Sequence, residues 1–105
     1  MALDIDKRET DSSWMVKAKG DVDLYTSPAL RGVILKLLAK GDKALGVDLS
    51  EVLYMDSSGV ATLVEGLKVA NNAKTGFFLT APSESVMKVL QLARLDAVFE
   101  IRNSV

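Results

Sequence analysis

The fold of this chain is decided by residues 47–60, which read Val47-Asp48-Leu49-Ser50-Glu51-Val52-Leu53-Tyr54-Met55-Asp56-Ser57-Ser58-Gly59-Val60. The apolar first part is typical of a strand, and residues with helical spacing follow directly after the tetrapeptide Asp56-Ser57-Ser58-Gly59. The tetrapeptide is therefore predicted to lie at a helix N-terminus. Unpaired backbone N–H groups and the positive end of the helix dipole favour a negative charge there.

A serine at a helix N-terminus has two roles open to it. It can cap the helix by accepting a hydrogen bond from a backbone N–H group, which is the commoner role. It can also accept a phosphate and so become a charge switch. The tetrapeptide alone leaves both roles open, and it also leaves open whether Ser57 or Ser58 is the residue concerned.

The pattern on both sides of this segment predicts an α/β fold. Apolar and polar residues alternate on either side of a turn-rich stretch at 9–13, which predicts an opening β-hairpin over the first twenty residues. The later elements are predicted as a loop at 21–25, a helix from Thr26 or Ser27 to near Gly41, a buried central strand at Ala44–Leu49, a helix from Ser57, a strand at Phe77–Thr80, a helix opened by Pro82 and Ser83, and a last strand or docked tail at Val98–Ile101. This order predicts one domain over residues 1–105, a mixed β-sheet with a parallel core and helices packed on it.

Composition excludes several classes of function. Thirteen basic and fourteen acidic residues give a net charge of −1, so no basic excess is present to neutralise nucleic-acid phosphates, and no nucleic-acid partner is expected. The chain has no cysteine and no histidine, which excludes disulfides, thiolate metal sites and a Ser-His-Asp triad. We therefore expect no metal and no cofactor. An enzyme using Ser57 as nucleophile is not expected either, because no activating base accompanies it in the sequence.

The distribution of apolar residues predicts a cytoplasmic protein that is a monomer when free. The first residues are charged and alternating, without the apolar region of a signal peptide. No apolar run approaches the roughly 20 residues that a membrane span requires.

Two motifs together resemble a known family. Gly20-Asp21-Val22-Asp23 precedes a predicted helix, and the strand with its Asp56-Ser57-Ser58-Gly59 turn follows that helix. In this order and separation the motifs resemble the STAS domain family, and most closely the bacterial anti-sigma factor antagonists. The resemblance extends over almost the whole chain.

The resemblance implies a switch. In that family the first serine of the turn accepts phosphate from a serine kinase that is also an anti-sigma factor, and a PP2C-type phosphatase removes it. By motif match the acceptor is Ser57, and the implied partner-binding residues are Asp21, Asp23, Asp56, Ser57, Ser58 and Gly59.

Two alternatives stand beside this interpretation. Asp21 and Asp23 are also residue types that bond the N–H groups of their own loop. A non-signalling STAS subunit of a larger complex, such as a lipid-transporting ABC system, would share the fold.

Overall fold

Five strands and three helices alternate along the chain after an opening pair of strands. A computed structural model describes residues 3–103. The elements are β1 (Leu3–Glu9), β2 (Ser13–Val22), α1 (Ser27–Leu38), β3 (Ala44–Met55), α2 (Ser57–Asn72), β4 (Phe77–Thr80), α3 (Glu84–Leu92) and β5 (Glu100–Arg102). The predicted order of elements is confirmed, and the last strand is formed.

The strands make one mixed sheet in the order β1-β2-β3-β4-β5. β1 and β2 are antiparallel, as predicted for the hairpin, whereas β2, β3, β4 and β5 run parallel to their neighbours. β3 lies at the centre, so the central position predicted for Ala44–Leu49 is confirmed. Each crossover advances one strand in the same direction, and the right-handed rule therefore places the three helices on one face of the sheet.

One hydrophobic cluster joins the sheet to the helices. Its largest fully buried side chains include Leu30 and Ile34 from α1, Leu49 from β3, Leu63 from α2 and Leu90 from α3. These positions follow the helical and alternating spacing of the sequence. Val64 and Leu67 of α2 are partly buried and pack against this cluster.

The second half of β3 differs from its prediction. β3 continues to Met55, beyond Asp48, the last residue that it pairs with β4. Residues beyond that point have β2 as their only strand neighbour, and Tyr54 among them is 52% exposed. In the same region β2 continues through Val22, so Asp21 and Val22 belong to a strand and not to a loop.

Met15 of β2 is buried. It is on the sheet face opposite Val16, beside Phe78, and both side chains lie over Gly46. A Cβ atom at Gly46 would collide with the Phe78 ring and would lie 2.8 Å from the Met15 sulfur. Because Gly46 has no side chain, Met15 and Phe78 can pack together over its backbone.

Candidate functional site

Asp56 is the N-cap of α2. Its backbone is extended, with φ −104° and ψ −170°, and α2 begins at the next residue. Its carboxylate accepts hydrogen bonds from the backbone N–H groups of Ser58 at 2.8 Å and of Gly59 at 3.3 Å. The alternative in which Ser58 caps the helix is therefore wrong. A carboxylate can accept both N–H groups at once, whereas a serine hydroxyl at Ser58 would already be inside the helix.

Ser57 presents its side chain at the surface. It is the first residue of α2 and is exposed, whereas Ser58 is half-buried. Neither hydroxyl makes a hydrogen bond to another residue between 3 and 103, because Asp56 has taken the capping role from both. Exposure therefore separates the two serines, and it favours Ser57 as the residue that a partner can reach.

Gly59 fixes the start of α2 against the sheet. A Cβ atom there would lie 2.6 Å from Cγ of Met55 and 2.8 Å from Cγ1 of Val22. Such distances are shorter than carbon contacts allow, so only glycine fits without a shift of the helix or of its neighbours. The glycine of the turn thus positions both serines above the ends of β2 and β3.

The two sequence motifs meet at one edge of the sheet. Gly20 has a φ of +120°, a conformation that favours glycine, and the pairing of β2 with β3 shifts register directly after it. Beyond this shift Val22 pairs with Met55, and the backbone N–H of Asp56 donates to the carbonyl of Val22 at 3.1 Å. The Gly-Asp-Val-Asp motif and the serine turn therefore lie side by side, as the resemblance implies.

Asp23 organises the loop between β2 and α1. Its carboxylate accepts hydrogen bonds from the backbone N–H groups of Tyr25 at 2.9 Å and Thr26 at 3.0 Å, and the Thr26 hydroxyl donates to the carbonyl of Asp21 at 2.8 Å. The bond from the Thr26 N–H is the largest cause that lowers the pKa of Asp23, since it stabilises the charged form. The loop-bonding role that the sequence left open for Asp23 is therefore present.

Apolar side chains surround this edge, and no local sequence pattern indicated their proximity. A groove lined by Ser57, Val60, Val89, Leu92 and Ala93 runs between the first turn of α2 and the end of α3. None of these residues carries a charge. Within residues 3–103, large hydrophobic side chains at least half exposed are Leu24, Tyr25, Leu53, Tyr54, Leu92 and Val98. Most of these lie in the segments that form this edge or its groove.

Comparison with known proteins identifies the family. The family model described as "Mlab, STAS domain" matches residues 5–102. The chain belongs to the STAS domain family. The predicted resemblance is confirmed, and the fold described above is a STAS domain with its serine turn at the start of α2.

Named relatives of this STAS domain are anti-sigma factor antagonists. The anti-sigma-B factor antagonist of Staphylococcus epidermidis is 29% identical over 101 residues, which cover 96% of this chain and 94% of that protein. An anti-sigma factor antagonist from Mycobacterium paratuberculosis has a crystal structure that matches with a TM-score of 0.90 at 26% identity, over 99% of this chain and 88% of that one.

The antagonist SpoIIAA shares the fold in two states. Its unphosphorylated form matches with a TM-score of 0.78 at 20% identity, over 97% of this chain and 89% of that one. The phosphorylated form from Bacillus matches with a TM-score of 0.73 at 19% identity, over 97% and 92%. Both states of SpoIIAA therefore keep the architecture of this STAS domain.

Metal-binding clusters and membrane-spanning helices are both absent from the part of the chain that the structure describes. No cluster of three or more acidic side chains in residues 3–103 is arranged to hold a metal ion. No helix in that range is long and apolar enough to cross a membrane.

Proposed function

We propose that this STAS domain is an anti-sigma factor antagonist that binds a serine-kinase anti-sigma factor while Ser57 carries no phosphate. The observation that carries the proposal is the Ser57 side chain, exposed at the first position of α2 with its hydroxyl unengaged. The Asp56 cap and the close packing of Gly59 support it, because they hold that hydroxyl on a rigid base. The names of the relatives point to the same class of protein.

Phosphate on Ser57 would oppose binding through its charge. It adds about −1.5 to −2 charges at neutral pH. At this helix start the N–H groups of Ser58 and Gly59 already bond the Asp56 carboxylate. The phosphate would therefore lie beside a carboxylate at the mouth of an uncharged groove. A partner surface shaped for a neutral hydroxyl and apolar side chains would have to desolvate this charge without a counter-ion.

The fold itself would change little on phosphorylation. Ser57 is exposed and contributes no hydrogen bond to the fold, so a phosphate there displaces no packed group. SpoIIAA keeps the same architecture in its phosphorylated and unphosphorylated forms. The switch would accordingly act at the interface rather than through refolding.

The proposed partner surface combines polar and apolar parts. The polar part is Asp21, Asp23, Asp56, Ser57, Ser58 and Gly59, and the apolar part is the groove beside Ser57. We propose that a PP2C-type phosphatase resets the switch, that the free protein is a monomeric single STAS domain over residues 1–105, and that it acts in the cytoplasm, where a kinase finds ATP.

The alternative is a non-signalling STAS subunit of a lipid-transporting ABC complex. Such a subunit would bind its partner independently of any phosphate, and it would need no free hydroxyl at Ser57. A catalytic role is not proposed, because the neighbouring Asp56 carboxylate is bonded to the N–H groups of Ser58 and Gly59 rather than to the Ser57 hydroxyl.

The test begins with the kinase. The Ser57→Ala variant is immobilised, exposed to host extract, and the retained anti-sigma factor is purified. Wild type, Ser57→Ala and the matched control Ser58→Ala are then incubated with this kinase and ATP, and mass spectrometry locates the phosphate. We expect phosphate on wild type and Ser58→Ala at residue 57 and none on Ser57→Ala. Retention of no serine kinase, or phosphate on Ser58, would contradict the proposal.

A further inference from the structure

A second surface lies along α1 and the edge of the sheet, apart from the Ser57 site. It is a groove of about 770 Å³ between β1 and the outer side of α1. Pro28, Gly32 and Val33 of α1 form its apolar floor, while Lys7 of β1, Lys36 and Lys40 line its rim. None of the residues that line it belongs to the proposed partner surface, so a ligand could bind here whether or not the proposed function is correct.

The strand that contributes Lys7 to this groove, β1, is an edge strand. β1 is the outermost strand and pairs only with β2, in unbroken antiparallel register from Leu3 with Gly20 to Glu9 with Trp14. It contains no proline, glycine or bulge over its seven residues. Alternate residues of such a strand point their N–H and C=O groups away from the sheet, where a further strand can bond them.

The charge on the groove has one sign. Lys7, Lys36 and Lys40 make no ion pair with any residue between 3 and 103, and no carboxylate lines the groove. Lys17, Lys19 and Lys43 elsewhere on the domain are all paired with glutamates. Because the whole chain carries a net charge of −1, this cluster is a local excess of positive charge.

We propose that an extended acidic segment of a partner protein binds here by adding to β1 as a sixth strand. Main-chain hydrogen bonds to β1 would hold the segment, and every second side chain of the segment would face the groove. Among these groove-facing side chains, apolar ones would contact Val33 and the open space at Gly32, and carboxylates would face the lysines. The side chains between them would lie on the opposite face of the sheet, beside Asp4 and Asp6 of β1. A lipid surface fits less well, because the groove is concave and bounded by unpaired backbone. A second copy of β1 would turn its Leu3, Ile5 and Lys7 toward the groove, so it would add a lysine and no carboxylate beside the lysines already there.

A larger side chain at Gly32 would fill the groove without contacting the core. A Cβ atom at Gly32 meets no heavy atom within 4 Å. Gly32→Leu therefore places a side chain in the groove while the helix keeps its packing. The second variant, Lys7→Glu with Lys36→Glu, reverses the charge of the rim. Its matched control is Lys68→Glu with Lys88→Glu, which reverses two lysines on α2 and α3, away from the groove.

The experiment selects random dodecapeptides displayed on phage against the intact chain. Selected peptides should carry their acidic and apolar residues at every second position, on the side that faces the groove. In NMR spectra they should protect outward-facing amides of β1 from hydrogen exchange. Their affinity should fall about tenfold for the rim variant at low salt, fall clearly for Gly32→Leu, and stay unchanged for the control.

Three results would overturn the proposal. The first is selection of no acidic peptide, or of peptides that leave the β1 amides unprotected. The second is concentration-dependent dimerisation that the rim variant abolishes, which would assign the groove to a second copy. The third is binding to phosphatidylglycerol vesicles, lost in the rim variant, without any selected peptide, which would assign it to a membrane surface.

Discussion

Replacing Asp56 by alanine should destabilise the protein by about 1 kcal/mol, through the loss of the α2 cap. The carboxylate accepts one short hydrogen bond, from Ser58 N–H at 2.8 Å, and one long one, from Gly59 N–H at 3.3 Å. N-cap replacements by alanine cost roughly 0.5–2 kcal/mol. The single short bond places this case near the middle of that range. Apolar burial along the rest of α2 limits the damage to the first turn.

The assay separates the hydrogen bonds from the charge. Urea unfolding at neutral pH gives the free energy of unfolding of wild type, Asp56→Ala and Asp56→Asn, and the melting temperature gives a second measure. Asparagine keeps a carbonyl oxygen that accepts the same N–H groups, so Asp56→Asn should remain within about 0.5 kcal/mol of wild type. Asp56→Ala should melt about 4–8 °C lower, as 1 kcal/mol implies for a domain of this size.

Two outcomes would contradict this explanation of the cap. If Asp56→Ala were as stable as wild type, the two N–H groups would have no need of the carboxylate. If Asp56→Asn were as unstable as Asp56→Ala, the charge and not the accepted hydrogen bonds would stabilise the turn.

Three further predictions concern the site and its surroundings. Gly59→Ala should cost about 1–3 kcal/mol of unfolding free energy by overpacking against β2 and β3. Gly32→Ala, on the open side of α1, should instead stabilise the protein by about 0.5–1 kcal/mol. Equal effects of the two variants in urea unfolding would contradict the close packing of Gly59 against Val22 and Met55. Leu92→Ala should weaken binding to the anti-sigma kinase by about 1 kcal/mol or more in calorimetry, while its melting temperature stays near that of wild type. Val98→Ala is the control, because Val98 is also exposed but lies outside the groove. Equal losses of binding free energy in the two variants would refute the role of the groove. Hydrogen bonds lower the pKa of Asp23, so its charged form stabilises the fold above its ordinary pKa of about 3.9, and this contribution disappears as pH falls through the lowered pKa. The stability advantage of wild type over Asp23→Asn should therefore shrink only below about pH 4. An advantage that stays unchanged at still lower pH would count against this role of the Asp23 carboxylate.

Local patterns predicted most of the fold. The strand Phe77–Thr80 has the predicted bounds, and α2 begins at Ser57, because a run of strand residues followed by a capping residue depends only on near neighbours. The central place of Ala44–Leu49 followed from its apolar sequence. The two motifs lie side by side because β2 and β3, whose ends carry them, pair in parallel.

Features that depend on distant residues were not predictable in this way. The burial of Met15 depends on Phe78 and on the missing side chain at Gly46, and neither is near it in sequence. The register shift after Gly20 depends on how β2 pairs with β3. The groove beside Ser57 includes Leu92 of α3. Helical spacing predicts that Leu92 lies in a helix, but not that this part of α3 lies next to the start of α2.

Phosphate on Ser57 is expected to prevent binding to the anti-sigma kinase, and affinity measured in both phosphorylation states tests this directly. The purified kinase is titrated in a calorimeter with wild type before and after stoichiometric phosphorylation, with Ser57→Ala as the reference. An uncompensated charge brought into such an interface costs about 2–5 kcal/mol. Phosphorylation should therefore weaken binding by at least about thirtyfold. Ser57→Ala should bind about as tightly as the unphosphorylated protein. Equal affinity of the phosphorylated and unphosphorylated forms would show that Ser57 is not the switch.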